Sequence, residues 1–461
     1  MIRSASPQRP ADVVADVPAT APQDVADAAA STRRAQQDWA AAGAPARASA
    51  LAAAASALRA RAGEAADLVV REVGKPAAEA AGEVARGVAI LEYYAQACYA
   101  ALGQTLPPSG PGLLLTERRP HGLAGLVTPW NFPVAIPLWK AAPALAAGNG
   151  VLLKPSPEAT ATGLWLGDLL AGVLPAGLLR VLPGGPPTGE AVLAAADVVS
   201  FTGSAAVGRA VAVAAAGRGV PVQAEMGGQN AAVVLPDADA AVTASMLAGA
   251  AMGFAGQKCT ATSRVVVVGG AARVAEVTEA LVAAVRALVP GDPAVAGVAV
   301  GPVVTERARQ AVLDAAASAR AAGARLLAGG TVADPTGVGG WFVTPALLDG
   351  LDPGHPVAQE ETFGPLAVVQ AAADLPAALR LAAGVRYGLV ASVHGRDLVA
   401  VLAAVRGLPT GLVKVNAPTT GVDFWAPFGG ERDSSFGPRE QGTAALDFYA
   451  STRTITLAPH P

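Results

Sequence analysis

Six short apolar runs, at 123–127, 150–153, 179–182, 198–202, 231–235 and 265–268, punctuate the middle of this chain, with helix-patterned stretches between them. Runs too continuous to alternate between faces are covered on both sides, and strands joined by helical crossovers build a parallel sheet. The fold class is therefore α/β. At 461 residues the chain exceeds what one core fills, so large domains with a cleft between them are expected.

Residues 22–101 are Ala-rich, with apolar positions three and four apart and Arg33, Arg34, Arg47 and Arg59 between them. That is the pattern of a helical layer. Pro and Gly flank a strand signal at 113–119, which reads as an arm projecting from the body. A second strand signal at 451–457 suits pairing with that arm or with another subunit. The first dozen residues look disordered, and no internal repeat is visible.

A net charge of -3 with scattered Lys and Arg leaves no footprint for nucleic acid, so a small neutral or anionic ligand is expected. A membrane partner is not expected either. The longest charge-free window, 240–257, is mostly Ala and Gly, which suits a tightly packed buried helix; residues 120–153 carry five prolines. The N-terminus lacks a basic region followed by an apolar core, and two cysteines make no disulfide framework. The cytoplasm is therefore the expected compartment, with both thiols reduced.

Cys98 lies in the apolar run 90–98 and reads as a small core residue, whereas Cys259 sits among small and polar neighbours in Gly256-Gln257-Lys258-Cys259. A thiol in such a setting is a candidate nucleophile once a base and an oxyanion site accompany it. Asn131, between Trp130 and Phe132 and bracketed by Pro129 and Pro133, is either a rigid oxyanion donor or a turn cap. Glu225, entering a Gly-Gly turn, is either a cap or a partly buried base with a raised pKa. Gly203-Ser204 leads a strand into the helix 205–216, a turn that suits a pyrophosphate or is merely tight; Gly208 falls five beyond Gly203, unlike the usual dinucleotide fingerprint. Lys154 follows an apolar strand, where open α/β sheets bind ligands, or is a solvated loop lysine.

Trp-Asn-Phe-Pro at 130, Lys-Pro-Ser at 154, Phe-Thr-Gly-Ser at 201, Glu-Met-Gly-Gly at 225, Gly-Gln-Lys-Cys at 256, Glu-Glu-Thr-Phe-Gly-Pro at 360 and Pro-Phe-Gly-Gly at 427 together resemble the aldehyde dehydrogenase superfamily, in order and spacing across nearly the whole chain. The resemblance implies two Rossmann-like α/β domains, for the cofactor (1–104 and 123–225) and for catalysis (226–442), plus a small β oligomerisation element (105–122 and 443–461). It implies Cys259 as nucleophile, Glu225 as general base, and Asn131 with the Cys259 backbone N–H as oxyanion hole. NAD or NADP would lie on Thr128, Trp130, Lys154, Gly184, Gly203, Ser204, Val207, Glu361 and Phe363, with no metal. Where many relatives carry a carboxylate three residues after the lysine, this chain has Pro157, with Glu158 one step later. A homodimer or homotetramer is the implied assembly.

The strings at 131–140, 256–264, 418–428 and 434–442 resemble those of bacterial 2,5-dioxopentanoate (α-ketoglutarate semialdehyde) dehydrogenases, which implies a semialdehyde substrate. The implied substrate tunnel, lined by Trp139, Phe424, Trp425 and Phe428, brings no charge for a carboxylate. An apolar or aromatic aldehyde is the alternative. Lys258 should point away from Cys259 and serve as a structural ion-pair partner. A CoA-acylating relative would not need Glu225, and a non-catalytic one would not need Cys259, Glu225 and Asn131 together.

Overall fold

The computed structural model describes residues 1–100 and 103–460, so residue 101 of the expected helical layer and residue 461 of the β element lie outside it. Two sheets organise the chain. The first runs Ser435–Phe436, Val222–Glu225, Val198–Thr202, Leu123–Val127, Gly150–Lys154, Leu179–Val181; all are parallel except the edge strand Ser435–Phe436. The second runs Arg325–Ala328, Ala346–Asp349, Leu366–Ala372, Thr262–Val268, Asn230–Val234, Val390–His394, Leu412–Val415, antiparallel only at Arg325–Ala328. All six apolar runs are strands of these sheets, four in the first and two in the second. The central strands of both sheets are buried on their two faces, which is why their runs do not alternate, while the edge strand Leu179–Val181 stays partly exposed.

The arm is real and its partner is internal. Leu113–Pro120 pairs antiparallel with Ala450–Leu457 along its whole length, and Thr105–Leu106 adds a third strand. The Ala-rich region folds as helices Pro22–Ala41, Gly43–Ala60, Ala62–Val73 and Ala77–Ala97. Helix Ala77–Ala97 packs against Gly43–Ala60 and the wholly buried Ala135–Ala146. A methyl on Gly87 would come 2.9 Å from Leu138 Cδ1, so the approach of these helices depends on that glycine.

The first dozen residues are not disordered. Ile2–Ala5 and Val13–Val17 form an antiparallel hairpin tied down by tertiary contacts: Ser4 Oγ donates to Glu72 (2.6 Å), Gln8 Nε2 to the Val70 carbonyl (3.0 Å), and Trp341 N–H to the Pro7 carbonyl (2.9 Å). The polar composition of the segment concealed partners that lie more than sixty residues away.

The window 240–257 is the expected buried helix over Ala240–Met252, N-capped by Asp239, which accepts from Val242 N–H at 3.0 Å. It ends in a tight turn, Gly253–Gly256, where Phe254 and Ala255 both adopt left-handed backbone (φ 52° and 53°). Such conformations persist in non-glycine residues only where the surroundings impose them. Among the described residues no helix is long and apolar enough to cross a membrane.

Candidate active site

The carboxyl ends of four first-sheet strands, Val127, Lys154, Thr202 and Glu225, converge on one side, and the chain crosses into the second sheet through Gly227-Gly228-Gln229. Residues 256–261 lead into the amino end of the neighbouring strand Thr262–Val268. A crevice outside strand carboxyl ends is where open α/β sheets take ligands.

Each residue of Gly256-Gln257-Lys258-Cys259 has a distinct task. Gly256 has φ +67°, and a Cβ there would lie 2.2 Å from the Gly364 carbonyl oxygen. Gln257 is fully buried; its Nε2 donates to the carbonyls of Phe254 and Pro302 (both 3.2 Å) and its Oε1 accepts from Val304 N–H (2.8 Å). Lys258 is paired with Glu79 at 2.7 Å, the structural role expected of it. Asn230 Nδ2 donates to the carbonyls of Cys259 and Ala261, both at 2.8 Å. The loop is thus fixed on every side while the Cys259 side chain stays partly open.

Burial pushes the Cys259 thiol up to about 12, and the carboxylates of Glu361, Glu225 and Glu440 push in the same direction; its own backbone N–H opposes them. The thiol is protonated at rest and needs a base to become a nucleophile. Asn131 is buried, and its Nδ2 donates to the Gln257 carbonyl at 3.0 Å, two residues before the thiol. One amide hydrogen makes that bond, and the second remains for a developing oxyanion.

Glu225, at the end of its strand, is buried; Oε2 accepts from Ser435 Oγ, and Oε1 has no partner. Burial and the neighbouring Glu440 carboxylate hold its pKa well above the ordinary carboxylate range, against the opposing pull of Ser435, Lys140 and Arg439. Glu440 is itself paired with the buried Lys140, which also donates to Ser200 Oγ at 2.7 Å. One lysine therefore faces two buried carboxyl groups, and Glu225, which lacks a direct bond to it, is the one whose protonated form is favoured. Lys140 and Glu440 received no role from the sequence; the signal available was the scarcity of lysine, five in the chain.

Of the residues expected to hold a dinucleotide, Thr128, Trp130, Lys154, Gly184, Gly203, Ser204 and Val207 lie at or after carboxyl ends of first-sheet strands, while Glu361 and Phe363 come from the segment that precedes the second-sheet strand Leu366–Ala372. Thr128 Oγ1 is buried without a partner, and Thr128 N–H donates to the Lys154 carbonyl at 3.1 Å. Lys154 is buried, with Nζ on the Pro155 carbonyl (2.9 Å); burial lowers its pKa to about 8 while the Glu158 charge opposes the fall. Gly184 faces Thr188, where a Cβ would lie 2.0 Å from Oγ1, and Gly203 packs under the Phe201 ring. Ser204 caps helix Ala205–Ala216 without a side-chain bond, leaving that N-terminus to an anion, and Val207 on its first turn is 52% exposed. An exposed valine beside a free helix end and an orphaned buried hydroxyl fit an adenine and its phosphates. Glu361 Oε1 accepts from Gly228 N–H at 3.1 Å, and burial raises its pKa to about 7. Phe363 has φ 51° and meets Trp130 edge-on at 5.7 Å.

The rings of Trp139 and the buried Phe428 meet at a tilt of 43° with centroids 6.0 Å apart, and Val422 packs with Cys259 on the cluster containing Phe428. Phe424 touches both Tyr93 (5.9 Å) and Trp425 (4.9 Å), the latter 58% exposed. The structure adds a residue that the sequence did not single out. Arg86, two helical turns before Tyr93 on helix Ala77–Ala97, donates through Nη1 to the Val422 carbonyl. Its guanidinium is partly buried and desolvated, and among the described residues it bonds to no carboxylate, although the Asp423 and Glu83 charges lie near.

The aldehyde dehydrogenase family model matches residues 1–455. The chain is 38% identical over 405 residues to an alpha-ketoglutaric semialdehyde dehydrogenase of Bacillus subtilis, covering 86% of this chain and 82% of that protein. It is 35% identical over 461 residues to a vanillin dehydrogenase of an Amycolatopsis species, covering 97% and 91%. A crystal structure of betaine aldehyde dehydrogenase from Staphylococcus aureus with NAD+ superposes with a TM-score of 0.95 at 26% identity, over 100% of this chain and 92% of that one. The chain belongs to the aldehyde dehydrogenase family.

Proposed function

We propose that this protein oxidises an aldehyde to the free carboxylic acid through Cys259. One observation carries the reading: the partly exposed Cys259 lies two residues past a carbonyl held by Asn131 Nδ2 and close enough to the buried Glu225, which keeps an unpartnered oxygen, for that carboxyl's charge to act on the thiol. Glu225 takes the thiol proton, and the thiolate adds to the aldehyde carbon. Asn131 Nδ2 and the Cys259 backbone N–H hold the oxygen as it gains charge, and their preorganisation favours the tetrahedral adduct. When bound, NAD+ supplies the hydride acceptor. Loss of hydride leaves a thioester on Sγ; Glu225 releases the thiol proton to solvent and, ionised again, draws a proton from water so that hydroxide displaces the thiolate. Glu225 supports hydrolysis over transfer to CoA. Assay of the product as free acid with NAD+ present tests this, and acyl-CoA as the product would overturn it.

The favoured substrate is a semialdehyde carrying a carboxylate, of the 2,5-dioxopentanoate type. Arg86 supplies the charge that the aromatic walls lack, at the edge of the loop bearing Phe424 and Trp425. The B. subtilis relative supports the same class. Apolar or aromatic aldehydes are the second reading, favoured by Trp139, Phe424 and Phe428 and by the vanillin relative.

NAD is favoured over NADP. The turn Pro157–Ala159 brings Glu158 close enough for its charge to act on Lys154, although it stands one residue later than the usual carboxylate. A 2′-phosphate there would meet a negative group. Like chains are proposed to associate through the outer edge of Ala450–Leu457, an edge strand with mostly exposed residues, in a reducing cytoplasm.

A further inference from the structure

Lys75 is fully buried in the corner Gly74-Lys75-Pro76 between helices Ala62–Val73 and Ala77–Ala97. The corner has little freedom. Gly74 takes φ +69°, and a Cβ on it would lie 2.6 Å from the Pro302 ring and 2.8 Å from that of Pro7. A buried ammonium needs strong partners, and Lys75 has three: the Glu83 carboxylate, the Phe132 ring at 3.7 Å and the Phe254 ring at 4.8 Å. Burial lowers its pKa, and the Glu83 charge and hydrogen bond oppose the fall.

The two rings belong to opposite halves of the oxyanion hole. Phe132 follows Asn131 directly, on the first-sheet side. Phe254 lies in the left-handed turn that leads into the Cys259 loop, and its backbone carbonyl accepts from Gln257 Nε2. Glu83 completes the arrangement, because its Oε1 accepts from the N–H groups of Val134 (2.8 Å) and Ala135 (3.0 Å). One cation thus holds the segment carrying the amide donor and the segment carrying the backbone donor against a common point.

We infer that Lys75, with Glu83, is a positioning residue that sets the separation of Asn131 from the Cys259 backbone N–H through the rings of Phe132 and Phe254. The inference rests on the oxyanion roles proposed above for Asn131 and Cys259. An oxyanion hole acts only if its donors are in place before charge develops, so loosening this clamp should slow chemistry while leaving cofactor binding intact.

The test is a cycle between Asn131→Ala and the neutral pair Lys75→Met/Glu83→Gln, the double change being chosen because Lys75→Met alone would leave a buried unpaired carboxylate. NAD+ affinity, by fluorescence titration, should be unchanged. With Asn131 present, the neutral pair should lower kcat for aldehyde oxidation about 10- to 100-fold; with Asn131→Ala already made, it should lower kcat less than about threefold. The same large loss in both backgrounds would make Lys75 a general fold element and overturn the inference. No loss of kcat from Asn131→Ala alone would overturn the oxyanion reading beneath it. Phe132→Leu, which removes a ring and keeps the ion pair, reads the same coupling should the neutral pair not fold, and additive losses there would overturn the inference equally.

Discussion

Ser435 Oγ donates to Glu225 Oε2, while Glu225 Oε1 is buried with no partner. Ser435 lies on the strand that pairs antiparallel with the end of Glu225's own strand, so the base is held by its sheet neighbour and keeps one oxygen for a proton. Burial and Glu440 give that oxygen a high proton affinity, which a group needs if it is to deprotonate first a thiol and then a water.

Because the raised pKa belongs to a base that works only when deprotonated, kcat should rise with pH through that pKa and level off above it. Glu440→Gln removes the neighbouring charge and frees Lys140 to act on Glu225, and both changes lower its pKa. The acid limb of the kcat profile should therefore move to lower pH. Rates measured across pH for both proteins check this, and a shift to higher pH would contradict it.

Glu361 offers a second pH effect of known sign. Its pKa is raised to about 7 by burial, so below that value it carries a proton and accepts less well from a ribose hydroxyl. KM for NAD+ should climb as pH falls through about 7, and Glu361→Gln should show a high, flat KM. Initial rates at several pH values decide it.

Arg86→Leu should lower kcat/KM for 2,5-dioxopentanoate about 10- to 100-fold, the scale of a hydrogen bond to a charged group, and leave hexanal within about threefold. Equal losses on both substrates would mean that Arg86 only holds the Val422 loop.

Glu158→Gln should raise the NADP-to-NAD ratio of kcat/KM about tenfold by removing a negative charge near the 2′ position. Paired kinetics with the two cofactors measure it, and an unchanged ratio would remove Glu158 from cofactor choice.

Much of this architecture was legible because it is written in local pattern. The doubly covered strands at 123–127 and 198–202 and the helix 205–216 need only their own residues to be recognised, and the motif residues announce themselves by type and order. Arg86, the Lys75–Glu83 pair and the Lys140–Glu440 pair were not legible. A helical arginine looks solvated in one dimension, and only the fold shows that its face turns toward Val422. Lys140 and Glu440 lie 300 residues apart, a separation no local rule spans. The N-terminal hairpin was misread for the same reason, since Glu72, Val70 and Trp341 order it.

The central claim, that an aldehyde is oxidised on Cys259 and released by Glu225, is tested most directly by mass spectrometry of Glu225→Gln after mixing with NAD+ and 2,5-dioxopentanoate. The account predicts that NADH appears slowly, because the thiol has lost its base, and stops at one equivalent per Cys259, with an acyl adduct on the Cys259 peptide that Cys259→Ala lacks. Sustained turnover without an adduct, or NADH formation by Cys259→Ala, would contradict it.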